Sequence, residues 1–201
     1  MQYIVTISRE FGCGAREIAR KLASELGVTL YDKDLVTLAA EKAQINIELF
    51  KQTDEILPKK SVSALFKEFG FGSSTAFYSE QAINAQADVI REIANQNESC
   101  IMFGRCADYI LREYPNVINF FLYAPLSYRT KHIAAGYELE IGEAGKLIKR
   151  VDKQRHNYYK YVTGQNRGDR TGKNMMIDVE RFNVAGTVKM MKEAIEFLIM
   201  Q

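Results

Sequence analysis

Hydrophobic positions along this chain fall into short, nearly continuous runs that alternate with stretches at helical spacing. Tyr3 to Ile7 is β-branched or aromatic almost throughout, which predicts a strand buried on both faces of a parallel sheet. Ile18, Leu22, Ala23 and Leu26 then recur at helical spacing, and Gly27 closes that helix. Val28 to Tyr31 predicts a second short strand, and Asp32 is placed to cap a helix running to about Lys42. The rhythm returns with a strand at Cys100 to Phe103, a turn at Gly104-Arg105 and a helix to Arg112. Val117 to Tyr123 is the next strand, and Pro125 suits the first turn of the helix behind it. A long basic and aromatic helix is predicted from about Ile141 to Tyr161, then a polar, mobile loop from Gly164 to Gly172. Met175 to Ile177 reads as the last strand and Val184 to Ile199 as the closing helix.

Five strands alternating with helices predict an α/β doubly wound domain of about five parallel strands. Between Gln44 and Gln96 the texture changes. Two helical stretches, Ile47 to Leu57 and Ser79 to Asn95, flank a loop holding Pro58, Lys59, Lys60, Gly70, Gly72, Ser73 and Ser74. This predicts an inserted helical subdomain rather than another βα unit.

Composition narrows the picture without naming a function. A chain of 201 residues, 47% hydrophobic and 26% charged, is ordinary for one soluble globular domain and excludes disorder or a collagen-like repeat. Its net charge of +2 does not point to nucleic acid, so any basic region is local. Three scattered cysteines, without a CxxC pair, argue for a reducing compartment and against a disulfide framework. With no membrane-length apolar window and no leader pattern, the expectation is a cytoplasmic protein.

Three places could carry chemistry. The first is the turn between strand and helix, Arg9-Glu10-Phe11-Gly12-Cys13-Gly14-Ala15-Arg16-Glu17. It has the layout of a phosphate-cradling Walker A segment, yet Ala15 stands at the lysine position and Glu17 at the Ser/Thr position. Backbone N–H groups at a helix start bind phosphate without a particular side chain, and Arg9 or Arg16 could supply the missing charge. The same glycines would equally serve a simple tight turn. The second place is Arg105, at the carboxyl end of a strand, where it could grip a phosphate or merely pair with a surface acid. The third is the helix with Asp152 and Arg155 three apart and Tyr159 one turn further on. Such a helix can be a plain solvated face, but Arg167, Asp169, Arg170 and Lys173 close behind it suggest a lid over polyphosphate. His132 and His156 are too isolated for a metal site or a triad and read as solvent-facing, while Met190, Met191 and Met200 read as packing groups.

With these residues in view, the chain resembles the cytidylate kinase-like family, a branch of the nucleoside monophosphate kinases with the P-loop fold. The likeness rests on Ile7 to Ala19, on Tyr31-Asp32-Lys33-Asp34-Leu35, on Gly104-Arg105-Cys106-Ala107-Asp108, on Phe121 to Pro125 with Arg129, and on Asp152 to Tyr159. It implies a core of residues 1–44, 97–138 and 174–201, an acceptor-binding helical insertion at 45–96 and a lid at 139–173. It also implies transfer of phosphate from ATP or another nucleoside triphosphate, with Mg2+ bridging the donor phosphates, to a nucleoside monophosphate or similar small molecule.

Carried over, Gly12 and Gly14 would hold the donor phosphates, and Asp32, Lys33 and Arg105 the acceptor. Arg129, Arg150 and Arg155 would meet the developing charge, and Asp152 would orient one of those arginines or the acceptor. The sequence departs from the family at Arg9, where the loop's first glycine would stand, and at Ala15 and Glu17. It departs again at Lys33, Thr37 and Leu38, where the family has the Ser, Tyr and Arg that contact a pyrimidine nucleotide. Cytidylate specificity therefore has no support here. Arg16 is the leading replacement for the lysine, and Glu17 either binds magnesium directly or merely favours the helix dipole. Two readings follow, a phosphotransferase and a nucleotide-binding protein that kept the fold without turnover.

Overall fold

The computed structural model describes residues 2–32, 34–42 and 80–200. Most of the predicted insertion, including the helix at Ile47 to Leu57 and its loop, lies outside the described residues, as does Lys33.

Five parallel strands form one sheet: β1 (Ile4–Arg9), β2 (Thr29–Tyr31), β3 (Cys100–Phe103), β4 (Val117–Tyr123) and β5 (Met175–Asp178). Their spatial order is β2-β3-β1-β4-β5, which puts β1 at the centre. The helices are α1 (Ala15–Leu26), α2 (Asp34–Lys42), α3 (Glu80–Ala94), α4 (Ala107–Ile110), α5 (Leu126–Tyr137), α6 (Ile141–Thr163) and α7 (Val179–Ile199). The doubly wound architecture expected from the alternating pattern is therefore present.

The two faces of the sheet are apolar for the reason the period-2 geometry of a strand dictates. Val5 and Ile7, Ile101 and Phe103, and Phe120 and Leu122 point to one side, where they pack with Ile18 and Leu22 of α1 and with Met191 and Ile195 of α7. Ile4, Cys100 and Met102 point to the other side and meet Leu35, Val89, Ile90 and Leu111. A third cluster joins Phe11 of the loop to Ile133 of α5 and to Leu147, Ile148 and Val151 of α6. This cluster fixes the long helix beside the first loop.

Several local features differ from the sequence reading. Helix α4 has only one turn and does not reach Arg112, because the chain tightens into 3-residue turns before Pro115 and must enter β4. The closing helix is interrupted at Asn183, whose φ of 52° and ψ of −179° break it into a capped first turn and a longer second part. Asp178 accepts from the N–H groups of Glu180 and Arg181, and the Asn183 side chain accepts from Gly186 N, so each part has its own cap. Met191 is buried in the core as expected, whereas Met200 is exposed at the end of α7. His156 is half-buried rather than solvent-facing, and His132 is exposed.

Candidate functional site

In an open α/β sheet, ligands bind beyond the carboxyl ends of the strands where the chain switches sides. Here the connection from β3 to β4 crosses β1, so the turns after β1, β2 and β3 share one edge. The turn after β1 opens on a cleft of about 280 Å³ lined by Arg9 to Glu17, Phe103, His132, Ile133, Gly136, Tyr137 and Arg155. Every residue from Arg9 to Glu17, the loop expected from the sequence, is among them.

The loop is shaped by two glycines with φ of +83°, Gly12 and Gly14. They serve different ends. A Cβ on Gly12 would lie 2.8 Å from Ile133 Cγ1 and 3.2 Å from the Arg129 carbonyl, so this glycine lets the loop press against α5. A Cβ on Gly14 would meet nothing closer than Val184 Cγ2 at 4.0 Å, so there the backbone conformation alone requires glycine. Gly14 is also the N-cap of α1 and offers no side-chain acceptor to the first turn. A helix start capped without a side chain, opening into a cleft, suits an anion.

Beneath the loop lies a network of charges that cancel. Arg129 is buried, and its Nε donates to the Ala124 carbonyl at 2.9 Å while Nη1 donates to the Phe11 carbonyl at 3.1 Å. The same guanidinium meets Asp152 Oδ2 at 2.5 Å and Glu10 Oε2 at 3.2 Å. Asp152 also accepts from Phe11 N at 2.9 Å and from Arg167 Nη2 at 3.0 Å. A carboxylate from α6 thus ties together the loop backbone, α5 and the segment behind α6. The resemblance assigned Arg129 to the developing charge; in the structure its Nε and Nη1 face the loop backbone and the two acids. Asp152, expected to orient an arginine or the acceptor, accepts from both Arg129 and Arg167. Glu10 was missed, because nothing near it in the chain signals an arginine on α5.

A second buried set holds the segment after α6. Lys173 and Asp108 form an ion pair in which both side chains are almost fully enclosed, and Tyr159 Oη donates to Asp108 Oδ2 at 3.1 Å. Burial and the Asp108 charge push the Tyr159 hydroxyl far above its ordinary pKa. Arg167 and Lys173, read from sequence as parts of a mobile basic loop, are therefore both docked by carboxylates. A buried lysine has no sequence signal in a loop of polar residues; only its partner 65 positions away reveals it.

The upper part of the cleft is different in character. Arg16 reaches Asp32 after β2, with Nε 2.7 Å from Oδ2, although off the line of a hydrogen bond. Asp32 is thus engaged with α1. Arg9 lies with its guanidinium 3.9 Å from the centre of the Phe103 ring, and Arg155 stands 5.3 Å from the Phe11 ring. Arg105 is half-buried in a turn where Gly104, Arg105 and Cys106 all have positive φ (81°, 59° and 57°). Burial first, then Arg155, Arg105 and Arg167, lower the pKa of Arg9 well below its ordinary value, with Asp32 opposing. Burial followed by Arg167 brings Arg155 down to about 9, against the pull of Asp152. Burial also lowers Arg105, partly offset by Tyr158 and Asp32.

Arg150 is exposed on α6 and is not among the residues lining the cleft. Cys13 lines it, but its thiol is buried and raised to about 11, which makes it a packing group and not a nucleophile. Glu17 is half-exposed at the rim and pairs with Lys21 one turn along at 2.7 Å. Its carboxylate is a hard oxygen donor of the kind magnesium takes together with substrate phosphates. Among the described residues no group of three or more metal-ligating side chains occurs. No helix among them is long and apolar enough to cross a membrane.

Comparisons with known proteins bear on the family and the fold. A cytidylate kinase from Methanosarcina barkeri is 27% identical over 111 residues, which cover 54% of this chain and 61% of that relative. The aligned stretch thus spans about three fifths of the length of the curated relative. The crystal structure of an uncharacterized protein from Eubacterium ventriosum superposes with a TM-score of 0.74 at 25% identity, covering 98% of this chain and 99% of that one. A shikimate kinase from Bacteroides thetaiotaomicron (TM-score 0.54, 15% identity, 96% and 98% covered) and a gluconokinase from Sinorhizobium meliloti (0.52, 12%, 98% and 96%) share the fold. The profile of the cytidylate kinase-like family matches residues 4–181, from β1 into α7, and the chain belongs to that family.

Proposed function

We propose that this protein transfers the terminal phosphate of a nucleoside triphosphate to a nucleoside monophosphate or similar phosphorylated small molecule. One observation carries the reading: a glycine loop at a helix start without a side-chain cap opens on a cleft lined by arginines, with no lysine in the loop. Phosphoryl transfer asks little covalent work of a protein; it asks for alignment and for positive charge around the moving group.

The residues divide that work. Loop N–H groups from Gly12 to Arg16 receive the donor phosphates, with Arg155 facing them from α6. Arg105 and the Arg16–Asp32 pair, at the ends of β3 and β2, receive the acceptor. The Glu10–Arg129–Asp152–Arg167 network keeps the loop in shape and holds α6 against it, which limits the entry of water. Magnesium accompanying the triphosphate would be held at Glu17 and would offset phosphate charge. The segment 139–173 acts as the lid and 45–96 as the acceptor insertion.

The acceptor base is not read as cytosine: Thr37 and Leu38 are exposed on α2, and neither matches the family's pyrimidine contacts. Incubating the full chain with ATP, Mg2+ and a panel of nucleoside monophosphates should yield ADP together with a new diphosphate. ATP should raise the melting temperature as well. If ATP stabilises the protein but no member of the panel is phosphorylated, the protein binds nucleotide without turnover. If neither ATP nor GTP shifts melting, the loop is not a phosphate site.

A further inference from the structure

Within that reading, on which this inference rests, the identity of the cation that replaces the loop lysine can be settled by asking which arginine is already neutralised. Arg16, adjacent to the lysine position, is held by Asp32. Arg129 is shared between Glu10 and Asp152, and Arg167 is held by Asp152. The Arg9 side chain has no hydrogen bond and no ion pair among the described residues. Its guanidinium rests on the face of Phe103.

The packing around Arg9 is built to admit it. Its side chain lies across Gly104, where a Cβ would come within 2.0 Å of Arg9 Nη1. Any larger residue at 104 would displace the guanidinium. Phe103 carries the guanidinium on its ring face, and both residues line the cleft that also holds Gly12, Gly14 and Ala15. A buried cation set among Arg155, Arg105 and Arg167, with Asp32 opposing them, is costly in the empty protein. An anion with several charges removes that cost. Ala15, by contrast, is packed with Cys13, Ile18 and Ala19 in the core.

We infer that Arg9, at the position of the loop's missing first glycine, is the donor-phosphate cation of this site, gripping the polyphosphate chain with a planar fork held on Phe103. The charge has moved across the loop from its far end to its near end. A guanidinium can bridge two phosphate oxygens where an ammonium meets them as a point charge.

The test is isothermal titration of the full chain with Mg-ATP and with tripolyphosphate, comparing wild type with Arg9→Met. The variant should lose roughly tenfold to a hundredfold in affinity for both probes, the worth of hydrogen bonds to a charged group. Arg9→Gln, neutral but polar, carries the same expectation should the Met variant fold poorly. The charge-neutral double variant Arg16→Met/Asp32→Asn should lose less than either. If an Arg9 variant binds both probes as wild type does, or if the double variant loses more, the assignment of Arg9 is overturned while the phosphate site stands. If wild type binds neither probe, the reading of the cleft falls and the role of Arg9 with it.

Discussion

The floor of the cleft and its mouth are both rich in arginine, but their charges are arranged in opposite ways. On the floor, Arg129 and Arg167 meet Asp152 and Glu10, and the network closes on itself. At the mouth, burial depresses Arg9, Arg105 and Arg155 alike, and neighbouring arginines add to it at Arg9 and Arg155. Acids matched to arginines hold the floor in shape, whereas the mouth gathers arginines whose mutual repulsion the proposed phosphate ligand would offset. An arginine's chemistry alone does not say which of the two it does.

The comparison breaks most visibly at Asp152. Asp152→Ala removes the acceptor for Phe11 N and leaves two guanidinium groups short of a partner, which should destabilise the fold by about 3–5 kcal/mol. Chemical denaturation measures it. A loss under 1 kcal/mol would mean the floor is not structural.

The two loop glycines sharpen the contrast at smaller scale. Gly12→Ala adds a clash with α5 to an unfavourable backbone, about 2–4 kcal/mol in all. Gly14→Ala meets open space and should cost only about 1–2 kcal/mol through its positive φ. Melting curves of the pair should keep that order.

The pH response belongs to the mouth and is smaller. Arg155, at about 9 in the fold, lies below its ordinary value, so the unfolded chain binds more protons from pH about 9 upward. Its contribution to folding stability therefore rises with pH in that window. Affinity for ATP should move the other way, falling by up to about tenfold between pH 9 and 10 as Arg155 loses its charge. Titration calorimetry at several pH values, with Arg155→Met as the flat reference, reads it. A flat wild-type profile would remove Arg155 from the donor site.

Much of the fold was legible in the chain. Continuous apolar runs at Tyr3 to Ile7 and Val117 to Tyr123 became central strands, and the glycines at 12 and 14 marked the loop. These signals are local: a strand period, a helix period or a positive φ depends on neighbours a few residues away. The break at Asn183 is local too, and the predicted start at Val184 fell just beyond it, where the second part of α7 begins.

The division among the arginines was not legible. Arg16 looked the better substitute for lysine because it stands next to Ala15, and nothing nearby announced that Asp32 would hold it or that Arg9 would find no acid. The contacts that decide this span 141 positions from Phe11 to Asp152 and 118 from Arg129 to Phe11. The sequence by itself determined where a phosphate loop would stand and which cations could reach it. Which of them remain uncancelled was decided by the tertiary structure, because Coulomb interaction falls with distance through space and takes no account of separation along the chain.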